Sequence, residues 1–171
     1  MERQPTRIDA PAEWRSALTG ISSGFLLYET VTGLAIMLLP FSPFNQFNVL
    51  LHTILGIAMI IPVIWYCIRH WAVRRKGNLS HYQLLGYISV ALLLACIVSG
   101  VVLTWQGIVG PAIGATWDTV HLVTGFAMAV FIIIHLVSIV IRKVNKEETK
   151  KTLAVARGRY YQWLVGVTAL F

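Results

Sequence analysis

Four of the five histidines lie in apolar stretches, where ionisable side chains are rare. Two of them, His52 and His121, open near copies of one motif, HTILG and HLVTG. Each is followed along the same stretch by a second histidine, His70 after 18 residues and His135 after 14. Because an α-helix turns about 100° per residue, these intervals place both histidines of a helix on one face. We name His52 and His121 the outer pair, and His70 and His135 the inner pair, after the orientation predicted below.

The depth and spacing of the two pairs favour the binding of two b-type haems. Each site receives one imidazole from either helix, and a haem in a helical bundle takes an axial nitrogen on each face of its iron. Gly56 and Gly125 lie four residues beyond the outer pair, where a larger side chain would strike the porphyrin. Zinc is disfavoured, because tetrahedral sites need four nearby donors. The inner pair matches less closely in depth, since its two intervals differ by about 6 Å of helix rise.

The helices that carry these histidines are expected to cross a membrane. Hydrophobic residues make up 57% of the 171 residues and charged residues 12%, whereas soluble proteins average about 45–50% and about 25%. Four apolar runs contain about 20 residues or more, which is enough for a helix to span a hydrocarbon core of about 30 Å. The runs cover residues 18–39, 48–71, 83–105 and 117–141. We therefore predict an all-α membrane protein, an up-and-down bundle of four transmembrane helices.

Local motifs predict where the helices end and begin. Pro40 and Pro43 close the first span and introduce a short turn, FSPFNQF, at residues 41–47. In the stretch NLSHYQ, Ser80 is expected to cap the third helix, because a serine hydroxyl accepts a hydrogen bond from an amide of the first turn. Cys67 and Cys96 lack the Cys-x-x-Cys-His pattern of covalent haem attachment, so we expect two free thiols.

The positive charges predict the orientation of the bundle. All 14 lysines and arginines lie before residue 16, between residues 69 and 76, or from residue 142 to 159. By the positive-inside rule these three segments are cytoplasmic, and the turns at 40–47 and 106–116 face the outer side. The net charge of +7 thus follows from topology and requires no nucleic-acid partner. We expect a multi-pass protein of a bacterial-type cytoplasmic (inner) membrane, in contact with lipid.

The predicted division of the chain follows from these spans. Residues 1–17 form a cytoplasmic amino-terminal segment, residues 18–142 the four-helix dihaem domain, and residues 143–159 a basic cytoplasmic linker. Residues 160–171, YYQWLVGVTALF, are too few to cross a membrane. They form either an interfacial segment or the start of a fifth transmembrane helix.

Glu29 is the one acidic residue in the interior of a predicted span, since Asp118 is the second residue of the fourth span, and such a group is a candidate functional residue. It either carries a proton to or from a quinone, or accepts a hydrogen bond from the second ring nitrogen of a haem-ligating histidine. The alternative without function is a protonated glutamic acid that bonds to a tyrosine or threonine of a neighbouring helix. The sequence leaves these readings open.

Four more residues near the cytoplasmic side are candidates. His81 is either an ordinary surface histidine, part of a quinone pocket, or the inner haem ligand in place of His70. Arg69, Arg74 and Arg142 are candidates to pair with the propionates of the inner haem, because a guanidinium group binds a carboxylate with two parallel hydrogen bonds. The alternative is that these arginines only enforce orientation.

The histidine motifs resemble those of membrane dihaem cytochrome b subunits of respiratory complexes, a group that includes subunits of formate dehydrogenases and hydrogenases. The matching pieces are HTILG and IRHW on the second span, and HLVTG and IIIHLV on the fourth. The resemblance covers residues 18–142 and is strongest to small four-helix b cytochromes that accompany multihaem c-type cytochromes. The first span has no histidine, unlike the formate dehydrogenase pattern, and 18 residues separate His52 from His70, a longer interval than in the cytochrome b of bc complexes.

The resemblance implies an electron-transfer membrane subunit of a quinone-linked oxidoreductase. Two bis-histidine haems would pass electrons across the membrane between the quinone pool and an outer-side redox partner, a c-type cytochrome or an iron–sulfur protein. Two other classes of function are also considered. A proton or ion transporter would use Glu29 and the histidines as its pathway, and a structural membrane anchor would need no cofactor.

Overall fold

The computed structural model of the protein describes residues 16–75, 80–143 and 162. It contains four helices, α1 (Ala17–Leu38), α2 (Pro43–Arg74), α3 (His81–Val109) and α4 (Ala115–Lys143). All four are long and apolar enough to cross a membrane, which confirms the predicted all-α bundle of four transmembrane helices. Apart from a few residues, the predicted segments 1–17, 143–159 and 160–171 lie outside the described residues.

Serine caps fix the starts of α2 and α3. The hydroxyl of Ser42 accepts a hydrogen bond from the Asn45 amide at 3.1 Å, and Pro43 is the first residue of α2. The predicted turn at 41–47 is therefore wrong from Pro43 onward, because proline at the first helical position needs no amide partner. The cap predicted at Ser80 is confirmed: its hydroxyl accepts from the Gln83 amide, and the Gln83 side chain accepts from the Ser80 amide.

Two asparagines on the first turns of α2 tie it to the end of α1. The Asn45 amide group donates to the carbonyl oxygens of Ile36 at 3.3 Å and Leu39 at 3.2 Å. The Asn48 amide group donates to the carbonyl oxygen of Thr32 at 3.1 Å. The last carbonyls of a helix have no partner within the helix, so the Asn45 bonds satisfy carbonyls at the end of α1. The Asn48 bond reaches farther back along α1 and ties it to α2 one turn before His52.

The bundle is built from two antiparallel hairpins. The most extensive packing joins α3 to α4 and α1 to α2, and fewer contacts join α2 to α3 and α1 to α4. Between the levels of the outer and inner pairs lies a buried apolar layer. It is made of Met59, Val63, Leu93 and Met128. This layer holds the two hairpins together and separates the two levels at which histidines occur.

Candidate metal centre

The outer pair meets at the interface between the two hairpins. The rings of His52 on α2 and His121 on α4 have centroids 6.2 Å apart and planes inclined at 82°. A metal–imidazole bond is about 2 Å long, and the bonded nitrogen lies about 1 Å from the ring centre. Two imidazoles on opposite sides of one metal ion therefore have centres about 6 Å apart. The observed separation matches this arrangement.

Two groups of α1 hold the ring of His52. Its Nδ1 atom lies 2.8 Å from Oε2 of Glu29 and 3.0 Å from the hydroxyl oxygen of Thr32. The Thr32 hydroxyl donates its own hydrogen to the carbonyl oxygen of Tyr28 at 2.9 Å, so it accepts from the ring. A carboxylate oxygen is likewise an acceptor, so these contacts place a hydrogen on Nδ1 of His52, and in the neutral tautomer of that form the lone pair is on Nε2.

The ring of His121 is held in the same way by α3. Its Nδ1 atom lies 3.0 Å from the carbonyl oxygen of Cys96 and 3.2 Å from the hydroxyl of Ser99. A carbonyl oxygen only accepts, so Nδ1 donates and the lone pair is again on Nε2. Within the described part of the chain, no residue hydrogen-bonds the Nε2 atom of either ring.

Metal-ligating histidines almost always donate their second ring hydrogen to a carboxylate or a backbone carbonyl, and the Nδ1 contacts of both outer rings have this form. Among the described residues, no group of three or more histidine, cysteine, aspartate or glutamate side chains is placed to hold a metal ion. The described residues around the outer pair thus do not supply the three or four protein ligands that a tetrahedral metal site uses. A porphyrin supplies four nitrogens itself and needs only two axial imidazoles, so the donor set fits haem.

Glycines on the neighbouring helices make room for the outer rings. A β-carbon on Gly33 would lie 3.4 Å from Cε1 of His52, and one on Gly100 would lie 3.1 Å from Cε1 of His121. Gly56 and Gly125 were predicted to leave space for the porphyrin. In the structure they lie beside side chains of α1 and α3. A β-carbon on Gly56 would lie 3.4 Å from the Glu29 carboxylate, and one on Gly125 would lie 3.6 Å from the Cys96 sulfur.

The inner pair is held differently. The ring of His70 stacks on Tyr66 of its own helix, with centroids 5.6 Å apart and planes inclined at 26°. The ring of His135 packs against α3, where a β-carbon on Gly86 would lie 3.3 Å from its Cε1 atom. The described contacts of these two rings therefore lie on different helices, α2 and α3, whereas the outer rings lie next to each other in an edge-on arrangement.

The remaining predicted residues lie toward the end of the bundle that holds the inner pair. His81 is the first residue of α3 and is exposed, and Arg69 is also exposed. The side chains of Arg74 and Arg142 lie outside the described part of the structure. Arg75, which the sequence did not single out, lies over the ring of Trp71, with its guanidinium carbon 4.8 Å from the ring centre.

Sequence reasoning missed three groups that bond the outer rings: the Thr32 and Ser99 hydroxyls and the Cys96 carbonyl oxygen. A signal for the two hydroxyls was present. The stretches ETVTG at 29–33 and CIVSG at 96–100 both place a hydroxyl residue directly before the glycine that contacts a histidine. The carbonyl of Cys96 has no such signal, because every residue has one.

Comparison with known protein families, curated proteins and solved structures found no match to this chain. The functional conclusion therefore depends on the geometry of the histidines and on the resemblance of their motifs.

Proposed function

We propose that this chain is a dihaem b-type cytochrome that carries electrons across a membrane. One observation carries the proposal. The outer pair brings two imidazoles from different hairpins to 6.2 Å, with each Nδ1 held by acceptors of a neighbouring helix. Both Nε2 lone pairs are thereby kept for a metal, which is the state that a bis-histidine haem site requires.

Each residue of the outer site then has a separate task. His52 and His121 would hold the haem through their Nε2 atoms. Glu29 and Thr32 on one side, and the Cys96 carbonyl with Ser99 on the other, fix the tautomer and the rotation of each ring. A haem, when bound, supplies the one-electron redox chemistry, and the protein supplies its ligands, orientation and electrostatic environment.

The inner pair is proposed to ligate the second haem. His70 and His135 lie in the half of α2 and α4 near the basic segments, and Gly86 leaves room for the ring of His135. Arg69, Arg74 and Arg142 lie in or beside the basic segments, at the end of the bundle near His70 and His135. We propose that they pair with the propionates of the inner haem. His81 remains the competing candidate for the inner ligand.

The physiological role follows from the resemblance. We propose that the chain is the membrane subunit of a quinone-linked oxidoreductase in a bacterial-type cytoplasmic membrane. It would connect the quinone pool with an outer-side partner, a c-type cytochrome or an iron–sulfur protein. The support consists of four helices long and apolar enough to cross a membrane, histidines at two levels, and positive charges confined to the segments at one end of the bundle.

The first test is an absorption spectrum of the full chain, purified from membranes in detergent after expression with adequate haem supply. We expect a b-type band in the reduced-minus-oxidised difference spectrum and a haem-to-protein ratio near two. A ratio near zero would overturn the proposal and favour the transporter or the anchor. A ratio near one would mean that the chain binds a single haem. The His52→Leu and His121→Leu variants described below would then show whether that haem lies at the outer or the inner level.

A second test uses the angle between the rings. The planes of His52 and His121 are inclined at 82°, and nearly perpendicular axial imidazoles give a ferric low-spin haem a strongly anisotropic electron paramagnetic resonance signal. We expect one such signal, and we expect it to disappear in the His121→Leu variant. A spectrum that shows only the signal of parallel imidazoles would contradict axial ligation by this pair as it is oriented here.

A further inference from the structure

The two hairpins repeat the same local design around the outer pair. In each, a glycine of the first helix contacts the ring of a histidine on the second, 19 residues later in one hairpin (52 − 33) and 21 in the other (121 − 100). The residue directly before that glycine, Thr32 or Ser99, places a hydroxyl at Nδ1 of the histidine. Ser22 and Ser89, each eleven positions before the glycine, are both buried. The halves are therefore closely matched in structure.

The match fails at one position, four residues before the glycine. The first hairpin has Glu29 there and the second has Cys96. As a result, His52 donates to a carboxylate at 2.8 Å, whereas His121 donates to a neutral backbone carbonyl at 3.0 Å, with the Cys96 sulfur farther away at 3.7 Å. The two proposed ligands are alike in position but differ in the charge of the group that accepts the hydrogen bond from Nδ1.

The setting of Glu29 makes its charge consequential. Its side chain is only 11% exposed, and its second oxygen, Oε1, is buried without a hydrogen-bond partner among the described residues. A buried carboxylate is costly unless a nearby positive charge compensates it. No lysine or arginine occurs between residues 16 and 68. A ferric iron with its porphyrin ring and two neutral imidazoles carries one net positive charge, and reduction removes that charge.

We propose that Glu29 is a positioning residue that lowers the reduction potential of the outer haem by acting through His52; this inference rests on the proposed function. Two effects act in the same direction. The hydrogen bond to a carboxylate makes the His52 ring a stronger electron donor, and the nearby negative charge stabilises the oxidised iron more than the reduced iron. The Cys96 carbonyl at the matched position in the other hairpin is neutral, so it exerts the first effect on His121 more weakly and the second not at all.

The test compares reduction potentials of the full chain at one fixed pH. Glu29→Gln keeps the shape and an acceptor for Nδ1 but removes the charge, and Glu29→Asp keeps the charge. Thr30→Val is the matched control, because the Thr30 hydroxyl bonds to the Leu26 carbonyl within α1 and its replacement alters no charge. The His121→Leu variant, which should lack the outer haem, identifies which of the two measured potentials belongs to that haem.

We expect Glu29→Gln to retain two haems and to shift the ratio of reduced to oxidised outer haem at least about tenfold toward reduction, which is about 59 mV for a one-electron couple. The inner haem, and both haems of Thr30→Val, should keep their potentials. If Glu29→Gln loses the outer haem, Glu29→Asp must retain it with nearly the original potential.

Three outcomes separate this inference from the proposed function. Unchanged outer-haem potential in a two-haem Glu29→Gln variant overturns the role of Glu29 and leaves the cytochrome intact. Loss of the outer haem in both Glu29 variants shows that Glu29 only packs against His52. This outcome also overturns the proposed effect of Glu29 on the reduction potential. A wild-type chain without haem removes the proposed function itself.

Discussion

The outer and inner pairs occupy the same two helices, yet the structure assembles them to different degrees. At the outer level, His52 and His121 face each other at 6.2 Å, and acceptors on α1 and α3 hold both rings. At the inner level, His70 stacks on Tyr66 of its own helix, and His135 packs against Gly86. The two pairs therefore differ in their described surroundings: both outer rings are held by α1 or α3 and lie beside each other, whereas the inner rings contact Tyr66 and Gly86.

At the outer level both rings are supported by α1 and α3, the helices that carry neither member of the pair. Each hairpin places a glycine beside the ring and a hydroxyl at its Nδ1 atom, so the ring is fixed before any ligand binds. Such preorganisation lowers the entropy that binding must overcome. The outer level is therefore expected to bind haem more tightly than the inner level, and the following variants test that difference.

The largest effect is expected from removal of an outer ligand. His121→Leu leaves the outer iron with one axial nitrogen, so we expect the haem-to-protein ratio to fall from two to one while the other haem keeps its spectrum. Haem quantification and the reduced-minus-oxidised spectrum measure this. His52→Leu should give the same result. Two haems in either variant would show that the outer pair does not ligate.

Replacement of each candidate inner ligand should give opposite results. His70→Ala is expected to abolish the inner haem and to spare the outer one, whereas His81→Ala should leave both, because His81 is exposed at the start of α3. The same haem quantification distinguishes the two variants. The reverse result, with loss of a haem only in His81→Ala, would assign the inner ligand to His81.

A smaller effect is expected from a methyl group placed beside a ring. In Gly100→Ala the added carbon would lie 3.1 Å from Cε1 of His121, and overpacking of this kind costs about 1 kcal/mol or more. We therefore expect about fivefold weaker binding of the outer haem, measured by transfer to an excess of an apo-haem acceptor protein.

The glycines of α3 supply the controls for that measurement. Gly107→Ala should change nothing, because no atom lies within 4 Å of the added carbon. Gly86→Ala, with 3.3 Å to Cε1 of His135, should weaken only the inner haem. Equal behaviour of all three variants would mean that the rings do not depend on glycine for their positions.

The smallest effect is expected from Thr32→Val, which removes the second acceptor at Nδ1 of His52. Glu29 still accepts from that atom at 2.8 Å, so both haems should be retained. The lost hydrogen bond should lower stability by about 1 kcal/mol, seen as earlier thermal loss of the outer-haem absorption band. Complete loss of the outer haem would instead make Thr32 essential to the site.

Particular residues show how far the sequence predicts this structure. Apolar runs predicted all four helices, because only helices satisfy the backbone of a chain inside lipid. The second span was predicted to start at residue 48, but α2 begins at Pro43, since proline ends a helix in one context and begins it in another. The depth of His52 and His121 followed from counting, but their orientation depends on the Cys96 carbonyl and on side-chain rotamers, which no pattern encodes. The stacking of His70 on Tyr66 was missed for the same reason.

The apolar layer between the two levels has a consequence for how charge crosses the proposed cytochrome. Met59, Val63, Leu93 and Met128 carry no side-chain hydrogen that a proton relay could use. Electrons tunnel through such material, whereas protons need a chain of hydrogen-bonding groups. In the proposed function this layer therefore acts as an insulator against proton leakage, so that an electron moved between the two levels contributes to the membrane voltage.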